Sequence, residues 1–236
     1  MNLEPQNVPE AFDAGARDYD GLVGANPGYH EHLRKSAERM QLPDKGRGLR
    51  LLDIGCGTGA STAALLAVAP YAEIIAADGS AGMLAEAEAK TWPASVRFVH
   101  SRAEDLADAG VTGPFDGILA AYLVRNLADP DPVLRSLRAL LRSGGVFAAH
   151  EYSVRDSRAA TAVWNVVSWA IIIPAGRVRS GDAGLYRYLR RSVNDFDGAD
   201  AFRNRLQRNG FTDVHSLTVP GWQRNIVHTF LGRAPQ

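Results

Sequence analysis

The sequence has very little cysteine. Cys56 is the only cysteine among 236 residues, so the chain cannot form an internal disulfide and has no cysteine pair for a zinc cluster. His30 and His32 lie two residues apart without a convincing third ligand, so we expect no metal site. A chain of this kind is typical of a reducing compartment, and we predict a cytoplasmic location.

Net charge and long apolar runs are also absent. Lysine plus arginine equal aspartate plus glutamate at 26 each. This balance leaves no basic field to attract phosphates, and we expect no nucleic-acid partner. Residues 1–20 carry acids and prolines but no apolar core segment, unlike a secretory signal. The longest apolar stretch, Ala159 to Ala175, is interrupted by polar residues and is shorter than a bilayer requires.

The most informative feature that the chain does contain is a glycine-rich turn. The apolar run 49–54 is typical of a buried parallel strand, and Ser61 begins a helix. Between them, Gly55, Gly57 and Gly59 let the backbone turn tightly under a ligand. The segment therefore predicts a strand, a loop and a helix that together form a nucleotide pocket.

Two classes of cofactor fit this turn, since its spacing also satisfies a relaxed dinucleotide fingerprint. The charge of Asp53 favours one of them. A carboxylate would repel a pyrophosphate by about 1 to 4 kcal/mol at 4 Å, but would attract the ammonium and sulfonium groups of S-adenosylmethionine. We therefore predict S-adenosylmethionine as the cofactor. A nicotinamide-dependent reductase is the alternative, although the lysine that hydride chemistry needs is scarce.

A second acid follows the next apolar run. Residues 72–77 end in Asp78, where a carboxylate can bind the ribose hydroxyls of either cofactor. Asp78 could instead cap a helix over Ser80 to Lys90. On that helix Met83 can form an apolar wall for adenine, or can pack in the core.

Strand-like and helix-like segments alternate through the middle of the chain. Strands are predicted near 49–54, 72–78, 95–100, 115–121 and 145–152, and helices near 61–69, 80–90 and 131–142. A helix over Ala199 to Asn209 and two strand-like runs, Phe211 to Val219 and Asn225 to Gly232, complete the chain. The pattern predicts an α/β fold with a doubly wound, mostly parallel sheet of seven strands, which ends in an antiparallel pair.

These segments predict a single domain in four parts. Residues 1–45 form an N-terminal helical segment, 46–152 the cofactor-binding core, 153–198 a helical insertion and 199–236 the C-terminal helix and strand pair. In the first part, Ala11 to Met40 predicts two polar helices, broken at 24–28, that serve as a lid or an ornament. In the insertion, Arg177 to Arg191 predicts an irregular loop.

Further blocks of sequence accompany the glycine turn. They are Asp18–Asp20, Val124–Asp129, Leu134–Gly145, His150–Ser153, Tyr186–Leu189 and Gly210–Phe211. Through them the chain resembles the class I S-adenosylmethionine methyltransferases, and more narrowly the family that C-methylates ubiquinone and menaquinone precursors. The resemblance spans nearly the whole chain and implies a Rossmann-like methyltransferase.

The resemblance also implies contacts with the cofactor. By position, the family's contacts fall on Thr62, Asp78 and Arg102–Ala103, while a family serine falls on Ala121. The family's Phe-Gly-Leu is Tyr122-Leu123-Val124 here, so the predicted pocket mouth differs. The predicted cofactor site consists of Asp53, Gly55, Gly57, Gly59, Thr62, Asp78, Met83, Arg102, Ala103 and Ala121.

Methyl transfer from a sulfonium is an in-line displacement that needs positioning of donor and acceptor rather than a covalent intermediate. Methylation of a quinol carbon also needs a phenolic group that is polarised or deprotonated. We predict Tyr19, Arg125 and Asn126 as the catalytic residues. Arg125 would stabilise a phenolate, Asn126 would orient a hydroxyl or a water, and Tyr19 would hydrogen-bond a ring oxygen.

Each of these residues has a structural alternative. Arg125 could form a surface salt bridge with Asp129 or Asp131. Asn126 could be an ordinary turn residue, and Tyr19 could anchor the N-terminal helices.

No unmistakable base is present in the sequence. His150 and Glu151 end the fifth predicted strand, where a base could face the pocket. A histidine satisfied by local hydrogen bonds is the commoner case.

The acceptor is predicted to be a hydroxylated aromatic, such as a prenylated quinol. A small phenolic or polyketide metabolite is an alternative, as is a protein that binds the cofactor without transferring methyl. The apolar segment Trp164 to Pro174 could line a tunnel for an isoprenoid tail, contact a membrane surface, form a homodimer interface or belong to the core.

Overall fold

The computed structural model describes residues 13, 16, 19–21, 24, 26, 28–174, 177 and 184–236. The strands are β1 (Arg50–Ile54), β2 (Glu73–Asp78), β3 (Val96–His100), β4 (Phe115–Ala121), β5 (Leu141–Tyr152), β6 (Thr212–Thr218) and β7 (Val227–Arg233). The helices with defined bounds are α1 (Tyr29–Arg39), α2 (Ala60–Val68), α3 (Ala81–Glu88), α4 (Pro130–Leu140), α5 (Arg158–Val167), α6 (Gly184–Asp195) and α7 (Ala199–Arg208). Short helical turns cover Pro43–Gly46, Val124–Asn126, Ser168–Ile172 and Gly221–Gln223.

The seven strands form one sheet in the order β3-β2-β1-β4-β5-β7-β6. Strands β1 to β5 are parallel, and β7 runs antiparallel to both of its neighbours. At the centre, Leu52 pairs with Ile75 of β2 on one side and with Ile118 of β4 on the other. The predicted doubly wound, mostly parallel fold is confirmed.

Helices cover both faces of the sheet because successive strand residues point to opposite sides. On one face, Leu52 packs in a core cluster that contains Leu134 of α4 and Phe202 of α7. On the other face, Leu51 packs in a cluster that contains Leu33 of α1 and Leu65 of α2. The two layers enclose β1 completely, which explains its uninterrupted apolar sequence.

The position of β1 creates the crevice in which a ligand can bind. Its neighbours are β2 and β4, so the strand order changes direction at β1. Such switch points leave an opening beyond the carboxyl ends of the strands. The segments that follow β1, β2 and β4 therefore meet at one edge of the sheet.

The predicted bounds near β5 are wrong. The helix predicted to end at 142 ends at Leu140, and β5 begins at Leu141 rather than at 145. Leu141 is buried and pairs with Phe115 of β4 across a shift in register. Pairing with β4 therefore stops the helix two residues earlier than its periodicity indicates.

The predicted loop Arg177 to Arg191 is also wrong in its second half. Helix α6 covers Gly184–Asp195 and buries Tyr186, Tyr188 and Val193. Arginine-rich sequence concealed this amphipathic pattern. The side-chain amides of Asn165 on α5 and Asn194 on α6 are hydrogen-bonded, which joins the two helices of the insertion.

The N-terminal prediction is confirmed for its second helix, since α1 begins at Tyr29, directly after its N-cap Gly28, whose φ is 87°. Residues 13, 16, 19–21 and 24 are helical, and the rest of that first predicted helix lies outside the described residues. The C-terminal antiparallel pair is confirmed, with β7 inside the sheet and β6 at its edge. Within the ranges described, no helix has both the length and the apolar character to cross a bilayer.

Trp164 provides a test of how firmly the insertion is attached to the sheet. Its ring is 1% exposed and lies 4.8 Å from that of Tyr152 on β5. We expect Trp164→Ala to lower the free energy of unfolding by about 3–5 kcal/mol, because it leaves a cavity in the core. In urea titrations Trp222→Ala, at a tryptophan 45% exposed, should lose about 1 kcal/mol or less. Equal losses would contradict this anchoring role.

Candidate functional site

A cavity of about 370 Å³ opens at the carboxyl ends of β1, β2 and β4. From the predicted cofactor site it is lined by Gly55, Gly57, Asp78, Met83, Arg102, Ala103 and Ala121, and from the predicted catalytic set by Tyr19, Arg125 and Asn126. The structure thus brings ten of the thirteen predicted site residues together.

The glycine turn forms the floor of this cavity. Gly55 and Gly57 have φ values of 72° and 54°, which side chains other than glycine rarely adopt. A Cβ placed on Gly57 would meet no other heavy atom within 4 Å. The bare backbone at Gly57 therefore leaves room for a ligand to approach closely.

The side chain of Asp78 is held in place by hydrogen bonds from the backbone of two loops at the cavity floor. Its two carboxylate oxygens accept hydrogen bonds from the N–H of Gly57 at 2.7 Å and of Ser80 at 2.8 Å. Burial raises the pKa of Asp78, and these two bonds oppose the rise. Each oxygen keeps a further lone pair, so the carboxylate can accept hydroxyl groups of a ligand.

The alternative that Asp78 serves only as a helix cap is wrong. Ser80 is the N-cap of α3, and its hydroxyl accepts the N–H of Met83 at 3.1 Å. Asp78 is the last residue of β2, and it lines the cavity.

Asp53 lies behind the glycine turn rather than on the cavity wall. It is fully buried, and one of its oxygens, Oδ2, accepts the hydroxyls of Ser61 at 2.8 Å and Thr62 at 2.6 Å. The other oxygen, Oδ1, is buried without a hydrogen-bond partner. Burial raises the pKa of Asp53 to about 7 despite the two hydroxyls. The carboxyl group is therefore poised to ionise near a cationic ligand.

Three predicted cofactor residues do not line the cavity: Asp53, Gly59 and Thr62. The Thr62 hydroxyl donates to Asp53, so it is used within the protein rather than in the cavity. A Cβ on Gly59 would lie 2.7 Å from the ring of Trp92, which shows that this glycine serves packing. The geometry does not support direct ligand contacts for these three residues.

Arg125 is held by a buried acid that the sequence did not connect with it. One of its terminal nitrogens lies 2.7 Å from a carboxylate oxygen of Glu151, and the two side chains are 4% and 0% exposed. Burial raises the pKa of Glu151, and the charge of Arg125 opposes the rise. The alternative of a surface salt bridge from Arg125 to Asp129 or Asp131 is therefore wrong, since Arg125 is buried and pairs with Glu151.

Asn126 joins the turn after β4 to the insertion. Its amide nitrogen donates to the backbone oxygen of Tyr122 at 2.9 Å, and its oxygen accepts the hydroxyl of Tyr188 on α6 at 3.2 Å. Asn126 therefore uses its amide nitrogen and its oxygen to join two parts of the protein. The second partner could not be foreseen from the sequence, because that segment was predicted as a loop.

Four tyrosines surround Arg125, and only Tyr19 was predicted. The Tyr122 ring stacks between Tyr29, at 5.6 Å, and Tyr152, at 4.8 Å. The guanidinium carbon of Arg125 lies 5.3 Å from the centre of the Tyr122 ring. Burial raises the pKa of all four phenols, while the charge of Arg125 lowers it in each.

His150 does not act as the base that its position could have supplied. Its two ring nitrogens are hydrogen-bonded to the hydroxyls of Ser36, at 2.7 Å, and Tyr122, at 3.0 Å. Burial lowers the pKa of His150 to about 3, so the ring is neutral at physiological pH. His150 is a satisfied core histidine that holds Tyr122 against the cavity.

The N-terminal segment is fastened to the loops of the cavity through two acids that sequence reasoning missed. Asp13 accepts the backbone N–H of Gly82 at 2.8 Å at the start of α3. Asp20 accepts the Thr58 hydroxyl in the glycine turn and pairs with Lys90. The short block 18–20 was the one available signal for these contacts. They support the interpretation of this segment as a lid.

Comparisons with known proteins agree with this geometry. A family model described as the ubiE/COQ5 methyltransferase family matches residues 1–221. A ubiquinone/menaquinone biosynthesis C-methyltransferase of Bradyrhizobium diazoefficiens is 32% identical over 221 residues, which cover 91% of this chain and 87% of the relative. A demethylmenaquinone methyltransferase of Thermus thermophilus is 31% identical, over 73% of this chain and 78% of the relative.

Solved structures share the fold. A methyltransferase dependent on S-adenosylmethionine from Thermotoga maritima aligns with a TM-score of 0.65 at 16% identity, over 96% of this chain and 99% of that chain. The plantazolicin methyltransferase BpumL, solved with S-adenosylhomocysteine, aligns with a TM-score of 0.65 at 12% identity, over 97% and 98%.

The raised pKa of Asp53 predicts how stability depends on pH. Folding raises this pKa from 3.8 to about 7, so the folded protein holds a proton that the unfolded chain has released between those values. This contribution to stability is complete below pH 3.8 and is lost as the pH rises to 7, by roughly 4 kcal/mol in all. In urea titrations across this pH range, the free energy of unfolding should decline less for Asp53→Asn than for the parent protein. The exposed control Asp108→Asn should follow the parent, and an unchanged slope in Asp53→Asn would contradict the shift.

The pair of Arg125 and Glu151 predicts a strongly unequal response to single and double substitution. Glu151→Gln should lower the free energy of unfolding by about 3–5 kcal/mol, because a buried guanidinium loses its counter-charge. The double variant Arg125→Met with Glu151→Leu should recover most of this loss, since no charge remains buried. Urea unfolding measures both; a double variant less stable than Glu151→Gln would refute the argument.

Proposed function

Because the chain belongs to the ubiE/COQ5 methyltransferase family, we propose that it transfers a methyl group to a ring carbon of a hydroxylated aromatic such as a prenylated quinol. The family assignment makes the protein an S-adenosylmethionine-dependent methyltransferase and decides between the two cofactor classes that the glycine turn allowed. Names of the relatives, which refer to C-methylation in quinone biosynthesis, supply the acceptor class of the proposal.

The residues around the cavity floor fit S-adenosylmethionine, which supplies an electrophilic methyl group on a sulfonium. The buried carboxyl group of Asp53, whose pKa is raised to about 7, would supply a negative charge behind the glycine turn when it ionises, and this charge favours a cationic ligand. Asp78 has acceptor capacity left for ribose hydroxyls, and Met83 provides an apolar wall. Gly57 allows close approach, and Arg102–Ala103 line the adjoining side.

One observation carries the proposed acceptor chemistry: the buried guanidinium of Arg125 lines the cavity, and its positive charge opposes the rise in pKa that burial causes in each of the four phenols around it. A phenolic acceptor in the same cavity would experience the same field. This positive charge would stabilise the phenolate form of the acceptor, whose ring is more electron-rich than that of the neutral phenol, and an electron-rich ring is the requirement for attack from carbon. Glu151 fixes the guanidinium in place, so the field is pre-organised.

The other two proposed catalytic residues position the acceptor. Tyr19 lines the cavity and is hydrogen-bonded to Tyr29, so its phenol can hydrogen-bond a ring oxygen from a fixed place. Asn126 lies on the same wall between Tyr122 and the Tyr188 hydroxyl. We assign to Asn126 the role of orienting the acceptor relative to the turn after β4.

A second candidate acceptor is a small phenolic or polyketide metabolite. The observation that favours it is the wall formed by Tyr122 and Leu123, at which this chain departs from the family's Phe-Gly-Leu. Tyr122 adopts a φ of 56° and directs its hydroxyl to His150, which makes this wall rigid. A rigid wall suits a compact acceptor without a long tail.

Product analysis with methyl-labelled cofactor tests both candidates. Purified protein is incubated with a prenylated quinol and with its tail-less analogue, and mass spectrometry locates the label. Transfer to ring carbon with a strong preference for the prenylated compound supports the proposal. Equal turnover of the two compounds favours the small phenolic acceptor, and label on oxygen excludes the C-methylation.

The site predicts different kinetic effects for two variants. Asn126→Ala should lower kcat by roughly tenfold or more with little change in the KM for S-adenosylmethionine, because it removes an orienting group from the acceptor side. The double variant Arg125→Met with Glu151→Leu should lower kcat by roughly 100-fold, since the field at the phenol disappears.

Asn194→Ala is the matched control, because this amide contacts Asn165 within the insertion. It should keep the parental kcat. Parental turnover in both of the site variants would refute the assignment of the catalytic residues.

A further inference from the structure

Helix α5 and the turn that follows it are apolar on two opposite sides. On the inner side Ala160 and Trp164 are buried against β5 and α6. On the outer side small and large apolar residues are exposed at helical spacing. This outer stripe consists of Ala159, Ala162, Val163, Val166, Trp169, Ala170 and Ile171.

The exposure of the outer stripe is large. Val166 is 65%, Trp169 57% and Ile171 60% exposed. A helix that is hydrophobic all round is normally buried, because water contact with both sides is unfavourable. Contiguous exposed apolar surface of this kind marks a binding face. Within the part of the chain that the structure describes, the outer stripe therefore has no partner of the kind that its composition requires.

Arginine predominates in the segment that carries the stripe, although the whole chain has no net charge. Residues 155–195 contain seven arginines and three acids, Asp156, Asp182 and Asp195. Arg158 begins α5, and the guanidinium of Arg190 lies 5.2 Å from the ring of Trp169. Arg187 is exposed on α6, which packs directly against α5. The partner should thus be apolar in its interior and negatively charged at its surface.

We propose that the outer stripe docks the protein onto the surface of an anionic lipid bilayer. Tryptophan and aliphatic side chains enter the boundary between headgroups and acyl chains, while arginines along the rim bind lipid phosphates. A second copy of the chain fits this face less well, because a symmetric contact would bring the arginines of both copies together. The proposal goes beyond the methyl transfer and does not depend on the identity of the acceptor.

Vesicle flotation tests the docking surface without any activity measurement. The full chain is mixed with vesicles of phosphatidylcholine alone or of phosphatidylcholine with phosphatidylglycerol. We expect the protein to float with the mixed vesicles and to be released by salt. The variant Val166→Ser with Trp169→Ser should lower the partition coefficient at least tenfold, whereas the exposed Trp222→Ser should leave it unchanged.

The arginines have a test of their own. Arg158→Gln with Arg187→Gln should weaken flotation with the mixed vesicles, and Arg97→Gln, at an exposed arginine on β3, should not. Failure of the parent protein to float with the mixed vesicles would overturn the proposal. So would equal flotation on both kinds of vesicle.

Sedimentation equilibrium in lipid-free buffer tests whether a second copy of the chain covers the outer stripe. If the parent is a dimer and Val166→Ser with Trp169→Ser converts it to a monomer, the outer stripe binds a second copy of the chain, and the proposal of a bilayer is overturned. A monomer in both cases supports the bilayer. Turnover of a tail-less phenol in lipid-free buffer should be equal for parent and variant, which separates failure of docking from failure of the proposed methyl transfer.

Discussion

The ion pair of Arg125 and Glu151 fixes the wall on which the candidate site is built. Glu151 lies on β5, and Arg125 lies in the turn after the neighbouring strand β4, so the pair ties the turn to the sheet. Both charges are buried, and separation would leave each without its counter-charge in a medium of low dielectric. The turn therefore cannot move independently of β5, and the groups attached to it share its position.

Around this pair, aromatic side chains join parts of the chain that are distant in sequence. Tyr29 comes from α1, Tyr122 follows β4, and Tyr152 ends β5. Behind Tyr122 a line of hydrogen bonds continues through neutral His150 to Ser36 and then to Thr229 on β7. Because each buried polar group in this line has a partner, the wall of the cavity is rigid rather than merely apolar.

The charges of the cavity are divided between its two ends. Asp53 and Asp78 lie behind and beside the glycine turn, and Arg125 lies after β4. An arrangement of this kind suits a cationic cofactor at one end and a developing phenolate at the other. The pair of Arg125 and Glu151 adds no net charge to the core, and the positive charge of its guanidinium opposes the rise in pKa that burial causes in the neighbouring phenols.

The sequence by itself determined the features that depend on neighbouring residues. Apolar runs ending at the glycine turn and at Asp78 predicted β1, β2 and the cavity floor, because strand periodicity and glycine conformation are local properties. Only the tertiary structure decided that Glu151, rather than Asp129 or Asp131, pairs with Arg125, and that the hydroxyl of Thr62 donates to Asp53. The second half of the predicted arginine-rich loop is the helix α6, and its buried Tyr188 donates a hydrogen bond to Asn126 on a different element. Partner choice among buried polar groups depends on which strands lie side by side, and that order is set by packing of the whole sheet.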